Sequence, residues 1–184
     1  MDADISRSSS EQAASPPVVR KPLPTTGDVD FRIIELFFFA YREFTGDADM
    51  VLERYGFGRA HHRVLHFVNR APGMTVADIL DLLQITKQSL SRVLRQLLDG
   101  GFIEQEQGCE DRRQRHLYPT TRGRELTLEL SRAQAHRIEA ALEATDAGER
   151  RSITHFLLEM AGDREATIAW FDRQGIGSAK EETG

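Results

Sequence analysis

Between Thr75 and Gly101 the sequence lays down two short amphipathic helical patterns with only Gln84-Ile85 between them. Thr75-x-x-Asp78 is a capping-box pattern, and Val76, Ile79, Leu80 and Leu83 follow it on one helical face. Thr86 is placed to cap a second helix running to about Asp99, where Gly100-Gly101 ends it. At about 100° per residue, Lys87, Gln88, Ser91, Arg92 and Arg95 share an arc of roughly 140°. Leu90, Val93, Leu94 and Leu97 take the opposite side. One face is aliphatic and made for packing. The other offers two arginines, a lysine, an amide and a hydroxyl, with no carboxylate among them.

Those side chains are what reading a major groove requires. Arginine forks onto guanine and glutamine onto adenine, while lysine and serine hold phosphates. Thr86 and Lys87 sit at the helix start, where backbone N–H groups favour an anion. An ordinary solvent face would mix both charge signs, so the absence of acids favours a double-stranded DNA partner. The whole-chain charge of −5 argues the other way until its distribution is read. From Gln84 to Arg124 eight Lys/Arg face five Asp/Glu, a local net of +3 that leaves −8 for the rest. A basic segment within an acidic chain holds phosphate while long-range repulsion limits indiscriminate binding.

Around this pair the chain reads as mainly helical. Residues 1–26 are rich in Ser, Pro and Ala without periodic apolar positions, and read as a disordered arm; residues 174–184 read as a flexible tail. A helix is expected from near Asp28, with Phe31, Ile34, Phe38 and Tyr41, joined by Phe37 and Phe44, on a broad apolar stripe. A second helix should span about Arg59 to Asn69, with Val64, Leu65 and Val68 inward. After the paired helices, Phe102 to Gln105 and Gln114 to Tyr118 read as two strands around a turn, with Pro119 ending the second. A long helix then starts at Thr120-Thr121, carrying Leu126, Leu130, Ala133, Ile138, Ala141 and Leu142. Asp146-x-x-Glu149 restarts a last helix with Ile153, Phe156, Leu157, Met160 and Ala161 at i, i+3, i+4, i+7, i+8, continuing toward Trp170 and Phe171.

The turn between the strands reads Cys109-Glu110-Asp111-Arg112-Arg113-Gln114-Arg115. A hairpin tip cannot bury arginine, so this is either a solvated turn or a wing that places an arginine in a narrow minor groove. Asp111 is spaced to orient Arg113 through a charge-assisted bond.

Gly100-Gly101-Phe102-Ile103, then Asp111-Arg112-Arg113, then Leu117-Tyr118-Pro119-Thr120-Thr121-x-Gly123 resembles the signature of the MarR family of bacterial regulators. Leu65, Pro72-Gly73-Met74-Thr75-Val76 and Ile79 match that family's two helices before the groove-reading helix. The resemblance covers about Asp28 to Met160. The departure is Tyr118-Pro119-Thr120, where the family usually has Leu-Thr; an earlier strand end is expected there.

The resemblance implies a mainly α fold with a small β-hairpin wing (α+β): a winged helix-turn-helix lobe at 48–120 and a helical dimerisation domain at 27–47 and 121–173. It also implies a triangular homodimer with intertwined terminal helices on a pseudo-palindromic operator. Thr86, Lys87, Gln88, Ser91, Arg92 and Arg95 would meet DNA from the helix, and Asp111, Arg112, Arg113 and Arg115 from the wing. Phe31, Ile34, Phe38, Ile153, Phe156, Leu157 and Met160 would form the interface. By the same resemblance a small aromatic or phenolic effector would bind near His61, His62 and Phe38. A ligand-responsive repressor is the expected role, because occlusion needs binding alone. The competing readings are a winged-helix protein-interaction module and a metal- or redox-responsive regulator.

Other signals are weaker. His62 and His66, four apart on a helix, could share a metal, but no nearby Cys or carboxylate completes a ligand set, and neither metal nor cofactor is expected. Cys109 lies near arginines, yet Glu110 and Asp111 oppose thiolate formation. No phosphate loop, nucleophile elbow or acid pair points to an enzyme. A single cysteine, no secretory segment and no apolar run near bilayer length lead to a cytoplasmic expectation without a membrane partner.

Overall fold

A computed structural model describes residue 22 and residues 27–108 and 114–177. Among the described residues seven helices and three short strands follow in order: α1 (Phe31–Glu53), α2 (Arg59–Arg70), β1 (Met74–Thr75), α3 (Val76–Leu83), α4 (Lys87–Asp99), β2 (Ile103–Gln107), β3 (Arg115–Pro119), α5 (Thr121–Leu142), α6 (Ala147–Ala161) and α7 (Glu165–Gln174). The fold is mainly α with a small antiparallel sheet, as the patterning predicts. Among the described residues no helix is long and apolar enough to cross a membrane.

Two compact units divide between Phe38 and Phe39, inside α1. In the first, Asp30 rather than Asp28 starts the helix: its Oδ1 accepts from the Arg32 amide at 3.0 Å, and its carboxylate pairs with the Arg32 guanidinium. That ion pair lowers the Asp30 pKa and raises that of Arg32. Phe31 is half-buried, while Ile34 and Phe38 are exposed.

The second unit holds the core. Leu52 of α1, Val64, Leu65 and Val68 of α2, Ile79 of α3, Leu90 and Leu97 of α4, Ile103, Leu117 and Leu130 are fully buried together. Each comes from the apolar face of its own element, so the burial follows from helical and strand periodicity. α1 runs unbroken to Glu53, through the boundary expected at 47/48. Arg137 holds it to α5 through Asp47 at 2.8 Å, and Gln134 donates to the Phe44 carbonyl.

The sheet has the order β1-β3-β2, one strand more than the expected hairpin. Met74 pairs with Leu117 and Thr75 with His116; β1 is two residues long, too short to show a period. Pro119 lies inside β3 as its last residue, opposite Ile103.

The larger correction concerns the C-terminal helices. α6 does not continue to Trp170 and Phe171. Gly162 stands at φ 76° and ends it, and α7 begins afresh at Glu165. All but the last residue of α7 falls within 121–173, the segment expected to dimerise, but the helix packs on α3 of the winged lobe, with Trp170 buried edge-on against Phe67 of α2. α6 itself buries no residue: Ile153, Phe156, Leu157 and Met160 are all exposed, while Leu158, off the expected stripe, is half-buried.

Candidate nucleic-acid interface

The two helix starts form as their caps predict. The Thr75 hydroxyl accepts from the Asp78 amide at 3.2 Å while Asp78 Oδ2 accepts from the Thr75 amide at 2.8 Å. Thr86 Oγ1 accepts from the Ser89 amide at 3.2 Å and donates to Ser89 Oγ at 3.0 Å, so this hydroxyl already serves the cap.

α4 is aimed by what lies behind it. Leu90, Val93, Leu94 and Leu97 seat its inner face in the core. Beside them His61 reaches across from α2: its Nε2 donates to Gln96 Oε1 at 2.9 Å, its Nδ1 accepts from the Gly58 amide at 3.1 Å, and its ring stacks on Phe57. The far end of α4 is held at its turn. Arg122 donates to the Gly100 carbonyl at 2.7 Å and lies over the Phe102 ring, and Thr120 donates to the Gly101 carbonyl at 2.7 Å. Gly123 lets α5 start against this turn, since a Cβ there would collide with the Phe102 carbonyl oxygen. The Thr120-Thr121-x-Gly123 motif is therefore a close-approach joint that fixes α4 relative to α5.

The outer face keeps the composition the sequence gives it. Lys87, Gln88, Ser91, Arg92 and Arg95 are all exposed. Among the described residues no hydrogen bond, ion pair or ring engages any of their side chains. A set of donors held on a rigid helix, with its partners unfilled, is preorganised for polyanion contact.

Of the wing, Asp111, Arg112 and Arg113 lie outside the described residues, as does Cys109. Arg115 is exposed and pairs with Gln107 at the last rung of the β2–β3 ladder, and the Gly108 amide donates to the Gln114 carbonyl beyond it. Sequence reasoning passed over Glu104 and Glu106, both exposed on β2. They give the exposed side of β2 two carboxylates.

The effector residues separate. A cavity of about 400 Å³ lies between α1, α2 and α5, lined by Tyr41, Phe44, Thr45, Arg59, His62, Arg63, His66, Phe67 and Gln134. His62 is on it. His61 is not, because its ring is turned into the core toward Gln96, and Phe38 is not among the lining residues. Burial lowers the pKa of His62, with His66 adding to it, and burial followed by Arg70 lowers that of His66. Arg59 is tied to Asp49 at 2.7 Å and lies over Tyr41. Among the described residues no cluster of three or more His, Cys, Asp or Glu is assembled for a metal.

A family model described as MarR family matches residues 55–114, from just before α2 to just before β3. HTH-type transcriptional regulator PetP of Rhodobacter capsulatus is 52% identical over 111 residues, 60% of this chain and 67% of that protein. Among solved structures, an uncharacterized SlyA-like transcription regulator from Listeria monocytogenes aligns with a TM-score of 0.61 at 19% identity, over 82% of this chain and 97% of its own. FabT of Streptococcus pneumoniae, solved in complex with DNA, aligns with a TM-score of 0.62 at 20% identity, over 71% of this chain and 94% of its own. At these identities the two structures speak for the fold.

Proposed function

Because this chain belongs to the MarR family of helix-turn-helix transcriptional regulators, we propose that it binds a pseudo-palindromic operator in double-stranded DNA as a homodimer and represses by occlusion. The observation that carries the reading is the acid-free outer face of α4, whose donors are exposed and unengaged among the described residues. In this reading Lys87, Gln88, Ser91, Arg92 and Arg95 enter the major groove, Thr86 fixes the helix start near a phosphate, and Arg113 reaches the minor groove with Asp111, Arg112 and Arg115 around it. The exposed apolar row of Ile153, Leu157 and Met160 on α6 supports a second copy as partner, since so much aliphatic surface on one helix favours a cover. Phe31, Ile34, Phe38 and Phe156 belong to the same proposed interface. The cavity at His62 and His66 would take a small aromatic or phenolic acid: its walls are aromatic, and Arg63 at its rim supplies a cation.

The test is fluorescence anisotropy at physiological salt on the fragment upstream of the protein's own gene, against scrambled DNA. Preference for the native fragment that is lost in Arg92→Ala with Arg95→Ala supports the reading. A folded protein that binds both DNAs equally, with or without the arginines, rejects it.

A further inference from the structure

α7 is the element the helix-turn-helix reading does not use, and it is fastened at both ends. At its start Arg164 Nη1 donates to Gln84 Oε1 at 2.7 Å. At its end Gln174 Oε1 accepts from Arg70 Nη2 at 2.5 Å. Between them Trp170, the chain's single tryptophan, is 7% exposed and stands edge-on to Phe67 with ring centroids 4.8 Å apart. The helix thus spans from the last residue of α2 to the turn between α3 and α4.

The contact at that turn is with an unusual residue. Gln84 caps α3 at φ 51°, and among the described residues it is the one non-glycine with positive φ. A side chain bearing a β-carbon adopts that conformation only at a cost, so its surroundings must hold it there. The Gln84 amide group is gripped from two sides: its Nε2 donates to the Asp81 carbonyl at 2.5 Å and its Oε1 accepts from Arg164. Gln84 is also the hinge through which α4 takes its direction from α3, two residues ahead of the Thr86 cap.

We propose that α7 is a strut for the groove-reading helix, with Arg164 as a positioning residue that locks the Gln84 turn so that α4 meets DNA at a fixed angle. This deepens the DNA-binding reading and rests on it. Arg164 is exposed, and among the described residues its side chain bonds to Gln84 and to none of the outer-face residues of α4, so in this proposal it acts through Gln84 and not by touching DNA. Its loss should change discrimination, because base-edge contacts depend on angle while phosphate contacts tolerate a small rotation.

The experiment uses the full chain, a duplex enriched by the unaltered protein from a random pool, and a scrambled duplex. Arg164→Ala should weaken binding to the enriched duplex about fivefold, the scale of one hydrogen bond, and leave the scrambled duplex unchanged. Gln84→Ala should have the same effect, the double variant should be no worse than either single one, and Arg164→Lys should recover part of the loss. Trp170 emission reports docking separately: it should stay unshifted in Arg164→Ala, since Trp170 packs independently of the link. An emission shift with both duplexes weakened alike would reduce α7 to packing and overturn the proposal. So would unchanged discrimination in Arg164→Ala while Arg92→Ala with Arg95→Ala destroys it, leaving the DNA-binding reading intact. Should the arginine pair also leave discrimination unchanged, the assignment of the α4 face falls and the strut with it.

Discussion

α4 and α6 carry nearly the same apolar code. In α4 the apolar positions are Leu90, Val93, Leu94 and Leu97; in α6 they are Ile153, Phe156, Leu157 and Met160, again at i, i+3, i+4, i+7. Both helices start on a side-chain cap, Thr86 in one and Asp146 with Glu149 in the other. All four positions of α4 are buried, and none of α6 is. Periodicity states that a face will be covered; it does not name the cover. For α4 the cover is α2 and β2, brought together within one chain. For α6, among the described residues, the half-buried Leu158 lies near Gly177.

The largest expected effect strikes the joint that holds the turn after α4. Gly123→Ala forces the start of α5 off the Phe102 carbonyl and should cost about 4 kcal/mol or more, since neither partner is a flexible side-chain tip. A urea melt with an unchanged midpoint would show that the joint yields freely and does not hold the turn after α4.

A matched pair addresses the two helices directly. Leu97→Ala empties a fully buried site and should cost about 2–5 kcal/mol at any protein concentration. Leu157→Ala should cost less than ~1 kcal/mol in a dilute melt and progressively more as concentration rises, the signature of a site covered by association. Equal losses, independent of concentration, would remove the distinction between the helices.

The smallest effect sits at the cavity between the lobe and α5. Burial holds the His62 and His66 pKa values below the ordinary 6.5, so the folded chain binds fewer protons than the unfolded one as pH falls through that region. Their contribution to stability is present above pH 6.5 and is lost as the pH drops through the lowered folded values. Melting temperature should therefore fall from neutral pH toward mild acid, and His62→Gln with His66→Gln should flatten that slope. A slope unchanged by the double substitution would assign it to other groups.

Much of this was legible in the sequence because it is local. The Thr75-x-x-Asp78 and Asp146-x-x-Glu149 caps, the Thr86 start, and the inward set of α4 each depend on residues within one or two turns, where backbone geometry fixes which side chains can meet. The acid-free face of α4 is a property of spacing alone. The Gly123 motif was visible as a pattern, but its reason, the Phe102 carbonyl lying against α5, was not.

What the sequence determined by itself, then, is the order and type of nearly every element, the polar face offered by α4, and the family to which the chain belongs. Tertiary structure alone decided where those faces point. It added β1 to the sheet, turned His61 inward to Gln96, ended α6 at Gly162, folded α7 back onto the turn at Gln84, and left the α6 stripe exposed. The physical reason is range. Caps and periodicities are written over a few residues, whereas His61 to Gln96 spans 35 positions and Gln84 to Arg164 spans 80. Such pairs carry no local signature, and only the packed core brings them together.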